Sequence, residues 1–327
     1  MQKRVSTILE CSRIFSLPMT ILSWLVVFTY SVINSGNAWY GILCLIAICF
    51  VHLGTNVLDD FFDYKSLIKQ VGFDKNEYLK NTQKTKCRYI ISGVLSEGQV
   101  LSTAAAYFFI ASIIGLFFYI KCGAPVVKFA LAGGVIAVLY SILSKIRLSE
   151  VAVALAYGPI LFGGVNYVMT KTISWEVFVL AIPTMIMTVI LLYIHTVMDF
   201  EFDLKEGHYT IANAFDSQLD ALIVLKIFII LAYVSLFGIC IFDISDWQVL
   251  LPLGTIPLSM DLYKSMLAYS TDNNSVPEHK WYHFPMENME RIEKLGAESF
   301  MIRMYQSRNL MMYFALFLTI GLILANL

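Results

Sequence analysis

Charge is what this sequence has least of. Of its 327 residues only 14% are Asp, Glu, Lys or Arg, while 58% are hydrophobic; an ordinary globular chain carries about 25% charge. A water-facing surface cannot be drawn from that pool, so a soluble globular domain is excluded, and such hydrophobicity excludes a disordered chain as well. The net charge is -1, from 23 Lys and Arg against 24 Asp and Glu, and leaves no basic footprint for a nucleic acid. The six cysteines, Cys11, Cys44, Cys49, Cys87, Cys122 and Cys240, form no CxxC pair, and Cys44, Cys49 and Cys240 sit inside apolar runs. They read as small core hydrophobes rather than a disulfide or zinc framework.

Long apolar runs are what the chain has instead. A bilayer core needs about 20 apolar residues per helix, and nine segments meet that length, near 16–34, 38–58, 100–120, 124–144, 151–170, 176–198, 219–242, 247–268 and 308–326. The first follows Lys3, Arg4 and Arg13 and leads through Ser35, Gly36, Asn37 and Ala38 straight into the second. That marks a first helix or signal anchor rather than a cleaved signal peptide. The predicted class is an all-α, multi-pass integral membrane protein, with residues 1–327 forming one membrane domain.

Orientation follows from the cations. Twenty of the 23 Lys and Arg fall before the first span, in the even-numbered connections or, as Lys226 and Lys264, in the span halves that border them, among them Lys65, Lys69, Lys75, Lys80, Lys84, Lys86, Lys145, Arg147, Lys205, Arg291 and Arg303; only Lys121, Lys128 and Lys171 fall toward the other side. By the positive-inside rule the N-terminus is cytoplasmic and, after nine crossings, the C-terminus is outside, which in a bacterium means the plasma membrane. Outer connections are short. Three cytoplasmic ones, about 59–99, 199–218 and 269–307, are long, so any chemistry faces the cytoplasm. The last carries either an amphipathic helix on the membrane surface or a solvated loop.

The carboxylates concentrate at the cytoplasmic ends of two spans. The first cluster reads Asn56-Val-Leu-Asp59-Asp60-Phe-Phe-Asp63, and the second His195-Thr-Val-Met-Asp199-Phe-Glu201-Phe-Asp203. Steps of three and four put Asn56, Asp59, Asp60 and Asp63 on one helix face; His195, Asp199 and Asp203 share another, and Glu201 points elsewhere. Like charges so stacked cost stability and ask for a cation. Mg2+ suits best, as a hard ion held by a few carboxylates, waters and substrate phosphates. Two such clusters facing each other form a cage for a metal-bound diphosphate. Interfacial residues that merely mark where helices leave the bilayer are the alternative, and two helix-spaced clusters on one side weigh against it. His195 by itself reads more readily as a hydrogen-bonded core residue than as a ligand. Asp60 and Asp199 end the second and sixth spans, a step of four helices, so their helices run parallel, in keeping with two four-helix repeats plus one helix.

These residues carry a family likeness: over nearly its whole length the chain resembles the UbiA superfamily of intramembrane prenyltransferases. Asn56 through Lys65 resembles that family's first aspartate-rich motif, and Asp59-Asp60-Phe-Phe-Asp63 also reads as DDxxD. Asp199-Phe-Glu-Phe-Asp203-Leu-Lys205-Glu-Gly207-His-Tyr-Thr210 resembles the second motif. Asp63-Tyr64-Lys65, Arg88 through Ser96, Tyr140 through Glu150, Tyr157-Gly158-Pro159 and Arg13 through Pro18 look most like the MenA branch, the 1,4-dihydroxy-2-naphthoate polyprenyltransferases of menaquinone synthesis. The chain departs from the pattern at Asp59 and His195, each in place of asparagine, at Leu67 in place of an aspartate for which Asp74 is a stand-in, and at Gly207-His208-Tyr209-Thr210, which lacks two usual cations.

The resemblance implies Mg2+-dependent transfer of a polyprenyl group from an allylic diphosphate to an aromatic acceptor, such as a quinone precursor, inside the membrane. Asp60, Asp63, Asp199 and Asp203 are the expected metal ligands, with Asn56 and Asp59 completing or orienting that shell. Arg13, Arg88, Lys145, Arg147 and Lys205 are candidates for the diphosphate, each reading equally as a positive-inside anchor. Tyr140 is expected beside the allylic cation, and His195 beside the acceptor. Two readings of other classes stand against this. A transporter predicts carboxylates near the bilayer midplane and helices broken there; here the acids crowd at one surface. A non-catalytic lipid-binding protein fits the departures at Asp59 and Leu67, but not two matched pairs of carboxylates.

Overall fold

The computed structural model describes residues 2–70, 72–80 and 87–327, with the side chains of 2–6, 80 and 206 left aside. Of the cations counted above, Lys84 and Lys86, and the side chains of Lys3, Arg4 and Lys80, lie outside the described residues. Every named element is helical, and among the described residues the nearest thing to a sheet is one isolated parallel bridge between Ile146 and Tyr209.

A short helix α1 (Gln2–Cys11) leads through a 3-10 turn (Ile14–Ser16) into α2 (Leu17–Ile33). Asn37 then starts α3 (Ala38–Leu67) by accepting the Tyr40 backbone N–H at 3.2 Å. At 30 residues α3 is about 45 Å long, against about 30 Å of hydrocarbon. Its apolar run is used up by Leu58, and the last turns carry Asp59, Asp60 and Asp63 beyond it. The expected connection at 59–99 therefore begins as helix. Short helices α4 (Lys75–Lys80) and α5 (Arg88–Ile91) follow, and then α6 (Glu97–Cys122), opened by a reciprocal cap between Ser96 and Gln99.

Next come α7 (Pro125–Leu143) and a fifth span made of α8 (Ser149–Leu155), a widened π turn (Ala156–Ile160) and α9 (Leu161–Thr170). Pro159 has no N–H to donate and Gly158 leaves helical geometry (φ -96, ψ -105), which together open the turn. The sixth span α10 (Glu176–Met198) passes into α11 (Phe200–Glu206), and α12 (Gln218–Ile241) follows. Then come α13 (Ile256–Thr271), α14 (Met289–Lys294) and α15 (Glu298–Leu324).

Among the described residues, eight helices are long and apolar enough to cross a membrane. The expected span at 247–268 is present as a 3-10 segment (Trp247–Thr255) running into α13, whose 16 residues fall short of that length. Pro252 and Pro257 break the regular ladder there, and Asp261 and Lys264 lower its hydropathy. The last span begins ten residues before the expected 308. Arg303 and Arg308 do not end the helix, because Arg303 is fully buried and donates to the carbonyls of Ser265, Ser275 and Ser299. Between α13 and α15, the 269–307 connection is mostly loop, holding a 3-10 turn (Trp281–His283) and the six-residue α14 rather than an extended amphipathic helix.

Burial ranks the spans. α10 is 61% buried over its apolar window and α7 only 17%, so α10 is the central post and α7 faces outward. Leu131, Val135, Val138 and Ile142 of α7 form an exposed apolar strip, of which all but Ile142 also border a large cavity. The core gathers α2, α9, α10, α12, α13 and α15, with a smaller cluster joining α1, α3, α5 and α6. All six cysteines are free thiols, and Cys11, Cys44, Cys122 and Cys240 sit in or against these clusters.

Candidate active site

The end of α3 supplies the first wall. Asp59, Asp60 and Asp63 are all buried. Arg13 turns back over them from the link between α1 and α2, with its backbone in the left-handed region (φ 53). Its guanidinium is ion-paired with Asp60 and lies 3.8 Å from Asp59. Burial works against the Arg13 charge, but Asp60 and Asp59 together outweigh it and hold the group above its ordinary value. The Tyr89 hydroxyl donates to Asp60 Oδ2 at 3.1 Å; burial, then the Asp60 charge, push that phenol up, so it stays a donor. Asn56 Nδ2 donates to the Ser12 carbonyl (3.1 Å) and to Ser16 Oγ (3.3 Å), tying α3 to the α1–α2 link.

The second wall forms where α10 gives way to α11. Asp199 is the residue between the two helices (φ -88, ψ 8), and the His195 ring nitrogen Nδ1 lies 3.4 Å from its Oδ2. Asp203 follows one turn on, with His208 Nδ1 at 3.9 Å. Gly207, at φ 72, ends α11 in the left-handed conformation that glycine adopts without a Cβ penalty. Thr210 is buried and caps back on Asn213.

Both walls line one cavity of about 2510 Å³. Around it stand Asn56, Asp59 and Asp60 from the first cluster, His195, Asp199 and Asp203 from the second, and Arg13, Arg88 and Tyr140 from neighbouring elements. The other expected site residues stand apart. Asp63 is turned to Lys145, whose Nζ lies 3.1 Å from Asp63 Oδ1 and 3.0 Å from Ser66 Oγ, so this pair braces the end of α3 behind the cavity wall. Arg147 donates its backbone N–H to the Tyr209 carbonyl at 2.6 Å and lays its guanidinium over the Tyr209 ring (5.8 Å), buttressing the chain after the second cluster. Lys205 is exposed on α11, away from the cavity lining. Asp74 is also elsewhere, exposed and capping α4 through the N–H groups of Asn76 (2.6 Å) and Glu77 (3.2 Å).

Two contributors went unsingled in the sequence. Glu150 is buried under the second wall, accepting from Ser149 Oγ (2.6 Å) and Thr196 Oγ1 (3.4 Å); an acid opening an apolar span was the available signal. The 269–307 connection closes a third side through Asn273, Asn274 and Arg291, and its length was the only hint. Tyr269, at its start, donates to the Met198 carbonyl (3.3 Å) and so steadies the residue before Asp199.

The donor chemistry suits a hard cation. Asp59, Asp60, Asp199, Asp203 and Asn56 offer only oxygen at the cavity wall. Among the described residues no three Asp, Glu, His or Cys groups converge closely enough to hold an ion by themselves. A donor set split between two walls matches the habit of Mg2+, which takes one or two carboxylates and completes its octahedron with water and substrate phosphate.

Comparison with known proteins places this geometry. The model of the UbiA prenyltransferase family matches residues 16–285. A search of curated proteins finds no match. Among solved structures, one of digeranylgeranylglyceryl phosphate synthase in membranes superposes with a TM-score of 0.60 at 14% identity, covering 98% of this chain and 99% of that one. A UbiA homolog from Archaeoglobus fulgidus bound to DMAPP and Mg2+ gives 0.56 at 14% identity, over 91% and 97%. The apo structure of a UbiA homolog from Aeropyrum pernix K1 gives 0.57 at 14%, over 94% and 98%. At that identity the likeness to solved structures speaks for the fold.

Proposed function

The chain belongs to the UbiA prenyltransferase family, and from that premise we propose that it transfers a polyprenyl group from an allylic polyprenyl diphosphate to an aromatic acceptor within the membrane, with Mg2+ as cofactor. The acceptor we favour is a quinone precursor such as 1,4-dihydroxy-2-naphthoate, as in the MenA branch of menaquinone synthesis. One observation carries the reading: two carboxylate walls, from α3 and from α10–α11, line the same large cavity. Relatives named for DMAPP, GPP and Mg2+ support the donor and the metal.

Asp60, Asp199 and Asp203, with Asn56 and Asp59 beside them, would hold Mg2+, and Asp63 keeps its helix end in place through Lys145. When bound, the metal supplies neutralising charge to the diphosphate leaving group. Arg13 and Arg88 line the same space and offer charge-assisted bonds to phosphate oxygens. As the allylic C–O bond lengthens, positive charge grows on the prenyl carbon, and Tyr140 presents an aromatic face on that side. His195 stands next to Asp199 and assists the acceptor. The apolar remainder, lined in part by Leu116, Leu131 and Val135 where they are exposed, leaves room for the tail to lie toward lipid. The cavity is more than twice the upper end of ordinary small-ligand pockets, about 1,000 Å³. The bias of the cations sets the carboxylate end and the N-terminus in the cytoplasm, with the whole chain one catalytic domain.

The test is purified protein with Mg2+, a radiolabelled polyprenyl diphosphate and a panel of acceptors: a dihydroxynaphthoate, hydroxybenzoate, homogentisate and a glycerol-phosphate lipid. Product with the naphthoate, abolished by the Asp60→Asn, Asp199→Asn double variant, is expected. Product with the glycerol-phosphate lipid alone would replace the acceptor, and no diphosphate release with any acceptor would leave only the lipid-binding reading. His195→Ala is expected to lower prenylation; unchanged turnover with unchanged acceptor affinity removes His195 from the mechanism.

A further inference from the structure

Deeper in the same cavity lies a polar cluster that none of the roles above uses. Thr20 of α2, His52 of α3 and Tyr157 of the π turn meet there, with Ser16 at the edge nearest Asn56. The Tyr157 hydroxyl is 2.7 Å from His52 Nδ1 and 2.9 Å from Thr20 Oγ1, and His52 Nε2 is 2.6 Å from Ser16 Oγ.

The directions of these bonds can be assigned. Ser16 Oγ donates to the Arg13 carbonyl (2.7 Å), so it accepts from the ring, and His52 carries its proton on Nε2. Nδ1 is then an acceptor with two hydroxyls in reach, Tyr157 at 2.7 Å and Thr20 Oγ1 at 2.9 Å, and the shorter contact gives it the Tyr157 proton. The Thr20 proton is then left for the Tyr157 oxygen (2.9 Å), which lines the cavity and retains one further lone pair for a ligand.

Depth and backbone both set this cluster apart from packing. His52 precedes Asn56 by four residues and Asp59 by seven, so it lies about 6 Å and 10 Å deeper along α3. A polar network at that depth is costly in hydrocarbon and is a functional site by default. The π turn is the independent observation. Tyr157 sits inside the widened turn, beside a Gly158 whose Cβ would stand 2.5 Å from Met185 Sδ. Helical regularity is given up where Tyr157 reaches the cavity, as π turns do at functional sites.

We propose that Tyr157, held by His52 and Thr20, is the subsite that receives a ring hydroxyl of the acceptor. The proposal rests on the prenyl-transfer reading and narrows its acceptor to a phenolic aromatic: the acceptor O–H donates to the Tyr157 oxygen. That sets the ring about two helical turns below the carboxylates, level with the first carbons of the prenyl chain.

The test compares binding of 1-naphthol and 1-methoxynaphthalene to the full chain in nanodiscs with Mg2+ and an unreactive prenyl thiolodiphosphate. Wild type is expected to prefer the naphthol about tenfold, the size of one neutral hydrogen bond. Tyr157→Phe should bind the two alike, and in turnover should raise KM for a phenolic acceptor while leaving KM for the donor unchanged. Thr20→Val, which removes an anchor of Tyr157, reads the same preference where Tyr157→Phe does not accumulate. A preference absent from wild type, or surviving intact in these variants, overturns the proposal. A preference that behaves as expected while wild type prenylates nothing leaves the subsite standing and sinks the prenyl-transfer reading instead.

Discussion

At the scale of single residues, Arg13 carries the most opposing demands. It holds a left-handed backbone that costs an L-residue about 1–2 kcal/mol, and keeps it because its guanidinium faces two buried carboxylates. Arg13→Ala is expected to lower stability by about 3 kcal/mol, since removing one partner strands buried charge. Arg13→Gly should lose about 1 kcal/mol less, because the backbone strain goes with the side chain. Comparing apparent unfolding midpoints of the two variants in detergent separates ion pair from backbone; equal losses would mean that the strain is not real. The acids of this site were legible in sequence because helical spacing reports a shared face. Their partners were not. Spacing cannot say that Asp63 turns to Lys145 or that Asp60 receives Tyr89, since those contacts join segments far apart along the chain.

Among the helices, most spans were readable from apolar length, and the two that deviated did so for reasons length cannot carry. α15 runs on past two arginines because carbonyls on other elements satisfy Arg303. The segment at 247–271 breaks because two prolines fall where a span was expected. That broken piece still packs tightly. A Cβ on Gly321 of α15 would collide with the Gln248 carbonyl oxygen, and neither backbone has a flexible end that can yield. Gly321→Ala is therefore expected to cost about 1–3 kcal/mol despite alanine's better helix propensity, read as a fall in thermal midpoint with donor affinity unchanged. No loss would mean that the two backbones sit farther apart. The π turn was likewise hidden: Gly158-Pro159 signals an irregularity, but not its direction toward His52.

For the whole molecule, composition told of a membrane, and the cavity adds what composition could not, a volume. Gly134 of α7 lines it, and a Cβ there meets nothing within 4 Å. Gly134→Phe should fill that space and shorten the tail that fits, lowering kcat/KM for a twenty-carbon donor at least tenfold more than for dimethylallyl diphosphate. Equal effects on both donors would mean that the tail runs elsewhere. The Arg303 clamp has a consequence for biosynthesis. Its guanidinium is satisfied by carbonyl and hydroxyl oxygens of Ser265, Ser275 and Ser299, the first two in segments made before α15. This helix brings a buried charge that it cannot settle alone, so it must find its place against segments already made. The order in which the ribosome delivers the chain is the order in which the fold can close.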